Sequence, residues 1–129
     1  MLIYYFTVAA KIIIFISLIN VWFIRFNKPT PWRGGESKSM KEEFETYGLS
    51  PTIMYTIGTI KVGLAILLIA SIWLKDLSTP AAGALGIFML GAIAMHVKAD
   101  DPNIKSFPAL ILFLLAVGIV AGEVVMAGL

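Results

Sequence analysis

The sequence predicts an all-α integral membrane protein, a four-helix transmembrane bundle with a short amphipathic helix in its first loop. Three observations carry this reading. Hydrophobic residues make up 59% of the 129 residues and charged residues only 14%, against roughly 25% charged in soluble domains. The mean hydropathy is +0.90. The apolar residues fall into four runs, about 2–24, 52–74, 80–97 and 107–126. Each is close to the ~20 residues that cross a hydrocarbon core of ~30 Å. The whole chain, 1–129, reads as one membrane domain.

The first run is almost entirely Ile, Phe, Leu, Val and Tyr, broken by Lys11 and Asn20. It has no basic n-region and is longer than a signal-peptide core, so it reads as a retained helix. Trp22, Phe23 and Arg25 form the aromatic and basic border expected at a headgroup interface. The polar stretch 25–51 follows, interrupted by Pro29, Pro31 and the pair Gly34-Gly35. Within it Met40, Phe44 and Tyr47 fall at i, i+4 and i+7, one face of a short helix. Ser37 or Ser39 caps that helix and Gly48 ends it. It lies either at the interface or folded over the bundle.

The second run holds Lys61 well inside it, between Gly58 and Ala65. Thr52, Thr56, Thr59, Gly63 and Ala70 form a stripe of small residues, expected to face another helix. Lys75 to Pro80 is a tight hairpin. The third run is rich in Ala and Gly and ends at His96, with Asp100 and Asp101 just after it. The fourth carries Glu123 and the pattern Gly118-x-x-x-Gly122, a weak dimerisation signal.

Four spans put both termini on one side and the longer loops on the other. The loops 25–51 and 98–106 carry seven Lys and Arg residues, against Lys75 alone opposite. The excess places the loops in the cytoplasm and the termini outside. The chain has no cysteine and one histidine, which excludes disulfides, thiolate metal sites and bis-histidine haem. No metal site is expected. The net charge of +2, with no long basic run, gives no footing for a nucleic-acid partner.

Lys11, Lys61 and Glu123 remain at depth, where an isolated charge costs ~2.5–3.5 kcal/mol on insertion scales. Counted from the loop side they lie about 13, 9 and 16 residues in, or roughly 20, 14 and 24 Å. Lys11 and Glu123 are closest in depth. Three readings follow: an ion pair fixing helix register, a polar pocket for an anionic or strongly polarised head, or a neutral Lys61 that needs no counter-charge. His96 with Asp100 or Asp101 forms an interfacial pair, a candidate proton relay.

The order of features resembles the DoxX-like family of small four-helix membrane proteins. The residues that carry the likeness are Phe44-Glu-Thr-Tyr-Gly48-Leu-Ser-Pro51, then Ile57-Gly58-Thr-Ile-Lys61-Val-Gly-Leu-Ala65, then Gly91-Ala92-Ile-Ala-Met-His96 with its acidic loop. The likeness runs over about 8–122. It implies a multi-pass protein of a bacterial-type inner (plasma) membrane, associated with a quinone-linked redox complex or its assembly and not an enzyme on its own. Quinone is the one cofactor it points to. Its implied partners are the lipid bilayer and either another protein or a second copy of the chain. The alternative is a small transporter or binding protein for an organic anion or quinone-like ligand at Lys61.

Overall fold

The computed structural model describes residues 1–128. Five α-helices follow in order: α1 (Leu2–Ile19), α2 (Met40–Thr46), α3 (Pro51–Ala70), α4 (Ser78–Lys98) and α5 (Phe107–Gly128). Four of them, α1 and α3 to α5, are long and apolar enough to cross a membrane. Each contacts its two neighbours in the ring α1–α3–α4–α5.

Local chemistry sets the ends of these helices. The Ser50 hydroxyl accepts from the Ile53 N–H (3.3 Å) and Pro51 occupies the first turn, which together start α3. Ser39, not Ser37, caps α2 by accepting from the Glu42 N–H (3.2 Å). Gly48, at φ +77°, turns the chain out of α2 in a conformation a side chain would oppose. α1 does not end in an ordinary turn. Asn20–Ile24 widens into a π-turn closed by the Arg25 N–H to the Asn20 carbonyl (2.8 Å), and this sets Trp22 inward while Val21, Phe23 and Ile24 stay exposed. Trp22 is therefore a core residue and not part of an interfacial border.

The core is a layer of Ile14, Leu18, Met54, Ala65, Leu68, Leu85, Met89, Ala116 and Ile119. Their outward-facing counterparts are large and apolar, among them Ile13, Ile16, Ile66, Ile87, Leu114 and Val124. In water this surface would be unstable; in a bilayer it is the lipid-facing side.

Two further sequence expectations change. The second helix stops at Ala70 and not at 74, because the Ser71 hydroxyl turns back onto the Leu68 carbonyl and the chain enters a turn. The small-residue stripe faces outward: Thr52, Thr56, Thr59 and Gly63 are exposed, and a Cβ at Gly63 would meet nothing within 4 Å. The Thr56 hydroxyl donates to the Thr52 carbonyl (2.8 Å), which satisfies it within its own helix. Close approach occurs instead at Gly58, Gly118 and Gly122. A Cβ on Gly58 would lie 2.4 Å from the Trp22 ring, one on Gly118 2.7 Å from Phe6, and one on Gly122 2.8 Å from Thr7. The Gly118–Gly122 pair thus receives α1 of the same chain.

Candidate functional site

The loop-side half of the bundle encloses a cavity of about 580 Å³. α2 and the 30–33 segment cover it; α1, α3, α4 and α5 supply its walls. Most of the wall is apolar, including Leu18, Ile57, Phe88, Met89, Met95 and Leu112. The charged and titratable groups are Lys61 on α3, His96 on α4, Glu43 on α2, Tyr47 just after it, and Arg25, Arg33 and Lys105 from the loops.

Lys61 is half-buried, its Nζ 5.9 Å from the centroid of the Trp22 ring, which is within cation–π range. Trp22 fills the space that Gly58 leaves, so the ring lies against α3 one turn from Lys61. The three intramembrane charges do not meet as one cluster. Lys11 and Glu123 face each other at 4.0 Å, both buried, and Lys61 stands apart at the cavity. Side-chain direction explains this. A helical side chain leans toward its own N-terminus. Lys11 on α1 therefore leans toward the side of the termini, while Glu123 on the antiparallel α5 leans toward the loops, and the two converge. Lys61 on α3 leans toward the loops and away from Lys11. Its neighbour Trp22 lies eleven residues from Lys11 along the first helix, roughly 16 Å.

The lid is fastened by hydrogen bonds that are mostly part-buried. His96 Nδ1 is 2.8 Å from Asp101 Oδ2, and the Gly35 N–H donates to Asp101 Oδ1 (2.8 Å). Lys98 Nζ donates to the Tyr47 carbonyl (2.9 Å), and Lys105 Nζ to the Gly35 carbonyl. The Tyr47 hydroxyl donates to Glu43 Oε1 (3.2 Å) and stands 3.5 Å from His96 Nδ1. Asp100 takes no part: it is exposed, at φ +59°, where the chain turns to deliver Asp101.

These contacts shift the ionisation of Tyr47 and Asp101. Burial pushes the Tyr47 hydroxyl well above its ordinary value, and the neighbouring Glu43 carboxylate pushes it further, so it stays neutral. Burial alone would raise the Asp101 carboxyl; the hydrogen bonds from His96 and Gly35, with Lys105 nearby, hold it below the usual carboxylate value. With Nδ1–H donated to a carboxylate, neutral His96 carries its acceptor lone pair on Nε2.

Arg33, which the sequence reading used only as a loop charge, is almost fully buried. Its Nε donates to the Lys28 carbonyl (2.9 Å), Nη2 to the carbonyls of Arg25 and Phe26, and Nη1 lies 3.4 Å from Glu43 Oε2. The guanidinium bonds to the carbonyls that follow the end of the first helix, two of which also accept from the Lys28 and Met40 N–H groups, and ties them to α2. No local pattern in the sequence marks Arg33 for this role, since a cationic residue after two prolines reads as solvated loop. Tyr47 was visible through its i, i+7 spacing with Met40, and all three apolar positions of α2 are buried.

The bundle thus holds a mainly apolar cavity on which a few polar groups converge. The chain belongs to the DoxX-like family, whose pattern it matches over residues 34–119. The matched region holds Lys61, His96 and Asp101 and leaves out Lys11 and Glu123, so it is narrower than the likeness over 8–122. No curated protein and no solved structure matches the chain significantly.

Proposed function

We propose that this DoxX-like protein binds a lipophilic ligand with an anionic or strongly polarised oxygen, of the quinone type, in the loop-side cavity. It serves as an accessory component of a membrane redox complex and is not an enzyme by itself. The observation that carries the binding reading is the cavity itself: 580 Å³ of mostly apolar space with the Lys61 ammonium at its wall. The cations Arg25, Arg33, Lys61 and Lys105 outnumber Glu43, the one lining carboxylate among the described residues, so the field inside favours electron-rich oxygen. The accessory role rests on the family likeness.

Binding is better supported than passage. Below the cavity the packed layer of Ile14, Ala65, Leu68, Leu85 and Ile119 is almost wholly buried, which closes the bundle toward the termini. Lys11–Glu123 lies on the far side of that seal and serves as a register pair between α1 and α5. The excess of Lys and Arg in the loops supports a cytoplasmic lid with the termini outside.

Gentle extraction in native lipid particles, followed by mass spectrometry, tests the proposal. A stoichiometric lipophile retained by the wild type and lost from K61M supports it. Retention of the same molecule by K61M would remove Lys61 from the site. A protein that always runs alone in mild detergent would remove the accessory role.

A further inference from the structure

The imidazole of His96 is the cavity group that can present an acceptor nitrogen, because Asp101 engages its other ring nitrogen. It is buried to 7% exposure, its Nδ1 edge is held by Asp101, and it forms part of the cavity wall. Among the described residues its Nε2 has no hydrogen-bond partner. Ser78 Oγ is the only enclosed side-chain polar atom left unpartnered among the described residues, so this nitrogen keeps accessible surface and is open to a donor entering the cavity. Lys61 supplies the opposite polarity, since an ammonium can only donate. Lys61 lies ten residues into α3, about 15 Å of rise, and His96 lies in the last turn of α4 on the same loop-side half. The cavity therefore has an acceptor pole near the lid and a donor pole deeper in.

We propose that the cavity takes a hydroxyaryl lipophile, whose O–H is donated to His96 Nε2 while an electron-rich oxygen at its other end faces Lys61. This deepens the cavity reading above and rests on it. With an acidic phenol the proton crosses: the O–H bond breaks, an Nε2–H bond forms, and the electron pair stays on the phenolate oxygen. The imidazolium is then balanced by the Asp101 carboxylate at 2.8 Å. The other charged or titratable groups around the cavity that His96 faces are Glu43 on α2 and Tyr47 just after it, Arg25, Arg33 and Lys105 from the loops, Lys98 on its own helix and Lys61 across the cavity. Glu43 is already engaged by Arg33 and Tyr47, and neither Tyr47 nor a lysine ammonium offers a competing base.

The test uses the full chain in phosphatidylcholine nanodiscs and 2-octyl-4-nitrophenol, whose phenolate absorbs visibly and whose nitro group supplies the far oxygens. Tryptophan fluorescence, from Trp22 and Trp32 at the cavity wall, reads binding; phenolate absorbance against pH reads ionisation. The bound probe is expected to ionise roughly tenfold more readily than in protein-free nanodiscs, the effect of about one charge-assisted hydrogen bond. H96Q should still bind the probe and lose this shift, and D101N should reduce it. A measurement on the wild type alone guards against misfolded variants: the methyl ether of the probe, lacking the O–H, should bind roughly tenfold more weakly. Saturable binding with no ionisation shift, or equal binding of phenol and ether, overturns the hydroxyl proposal and leaves the cavity reading standing. No saturable quenching by either compound overturns both.

Discussion

Replacing Glu123 with glutamine strips a buried lysine of its counter-charge while barely changing volume. Lys11 is 3% exposed and lies 4.0 Å from the Glu123 carboxylate, on the sealed side of the bundle. Two unit charges at that distance attract by about 4 kcal/mol at an effective dielectric near 20. A lone lysine at depth costs about 2.5–3.5 kcal/mol, and breaking a buried pair in soluble proteins costs about 3–5 kcal/mol. These converge on a loss of about 3 kcal/mol for E123Q, with a similar loss for K11M. The double variant K11M/E123L removes both charges and should return to within about 1 kcal/mol of wild type, because no uncompensated charge remains. Reversible unfolding in mixed micelles with increasing sodium dodecyl sulfate measures all four proteins. A double variant as unstable as either single one would refute the reasoning, as would an E123Q protein indistinguishable from wild type.

Further outcomes follow from the cavity and its lid. G58V places a side chain where the Trp22 ring lies, 2.4 Å from the position of its first carbon. It should cost about 1–3 kcal/mol and shift tryptophan emission as the ring leaves Lys61. R33M removes the guanidinium donor from the carbonyls of Arg25, Phe26 and Lys28, of which the first two keep the N–H groups of Lys28 and Met40. It should destabilise the lid by about 1–3 kcal/mol and open the 25–50 segment to limited proteolysis, with α3 to α5 still protected. The Asp101 carboxyl titrates below its unfolded value of about 3.9. Its stabilisation is therefore complete above that pH and is lost as pH falls through the lower folded value. D101N should be less stable than wild type at pH 6, with the gap closing in acid, as read by thermal unfolding.

The membrane architecture was legible in the sequence because a bilayer imposes a coarse requirement: about 20 apolar residues per span, all backbone groups paired internally. The short helix over Met40, Phe44 and Tyr47 was legible for a related reason, since three apolar residues at one helical face have to cover something. Depth along the chain also paired Lys11 with Glu123. It failed for Lys61, because counting residues locates Cα atoms, whereas charges sit at the ends of side chains that lean with helix polarity. In the threonine stripe the Thr56 hydroxyl is satisfied by its own helix and so carries no preference for a partner. Trp22 read as interfacial since nothing in the sequence marks the π-turn that rotates it inward. Arg33 was hidden because its partners are main-chain carbonyls, which leave no trace in side-chain spacing.

The account stands most directly on the cavity being occupied by a ligand, and filling it with protein tests that without touching a charge. Ala92 lines the wall, and A92F adds a ring to the space. Equilibrium titration of a decyl-benzoquinone in nanodiscs, followed by tryptophan quenching, should give saturable one-to-one binding for wild type. K61M should weaken it roughly tenfold, the loss of one charge-assisted contact. A92F should abolish it while thermal unfolding shows the bundle intact. Undiminished saturable binding by a folded A92F protein would contradict the assignment of this cavity as the binding site.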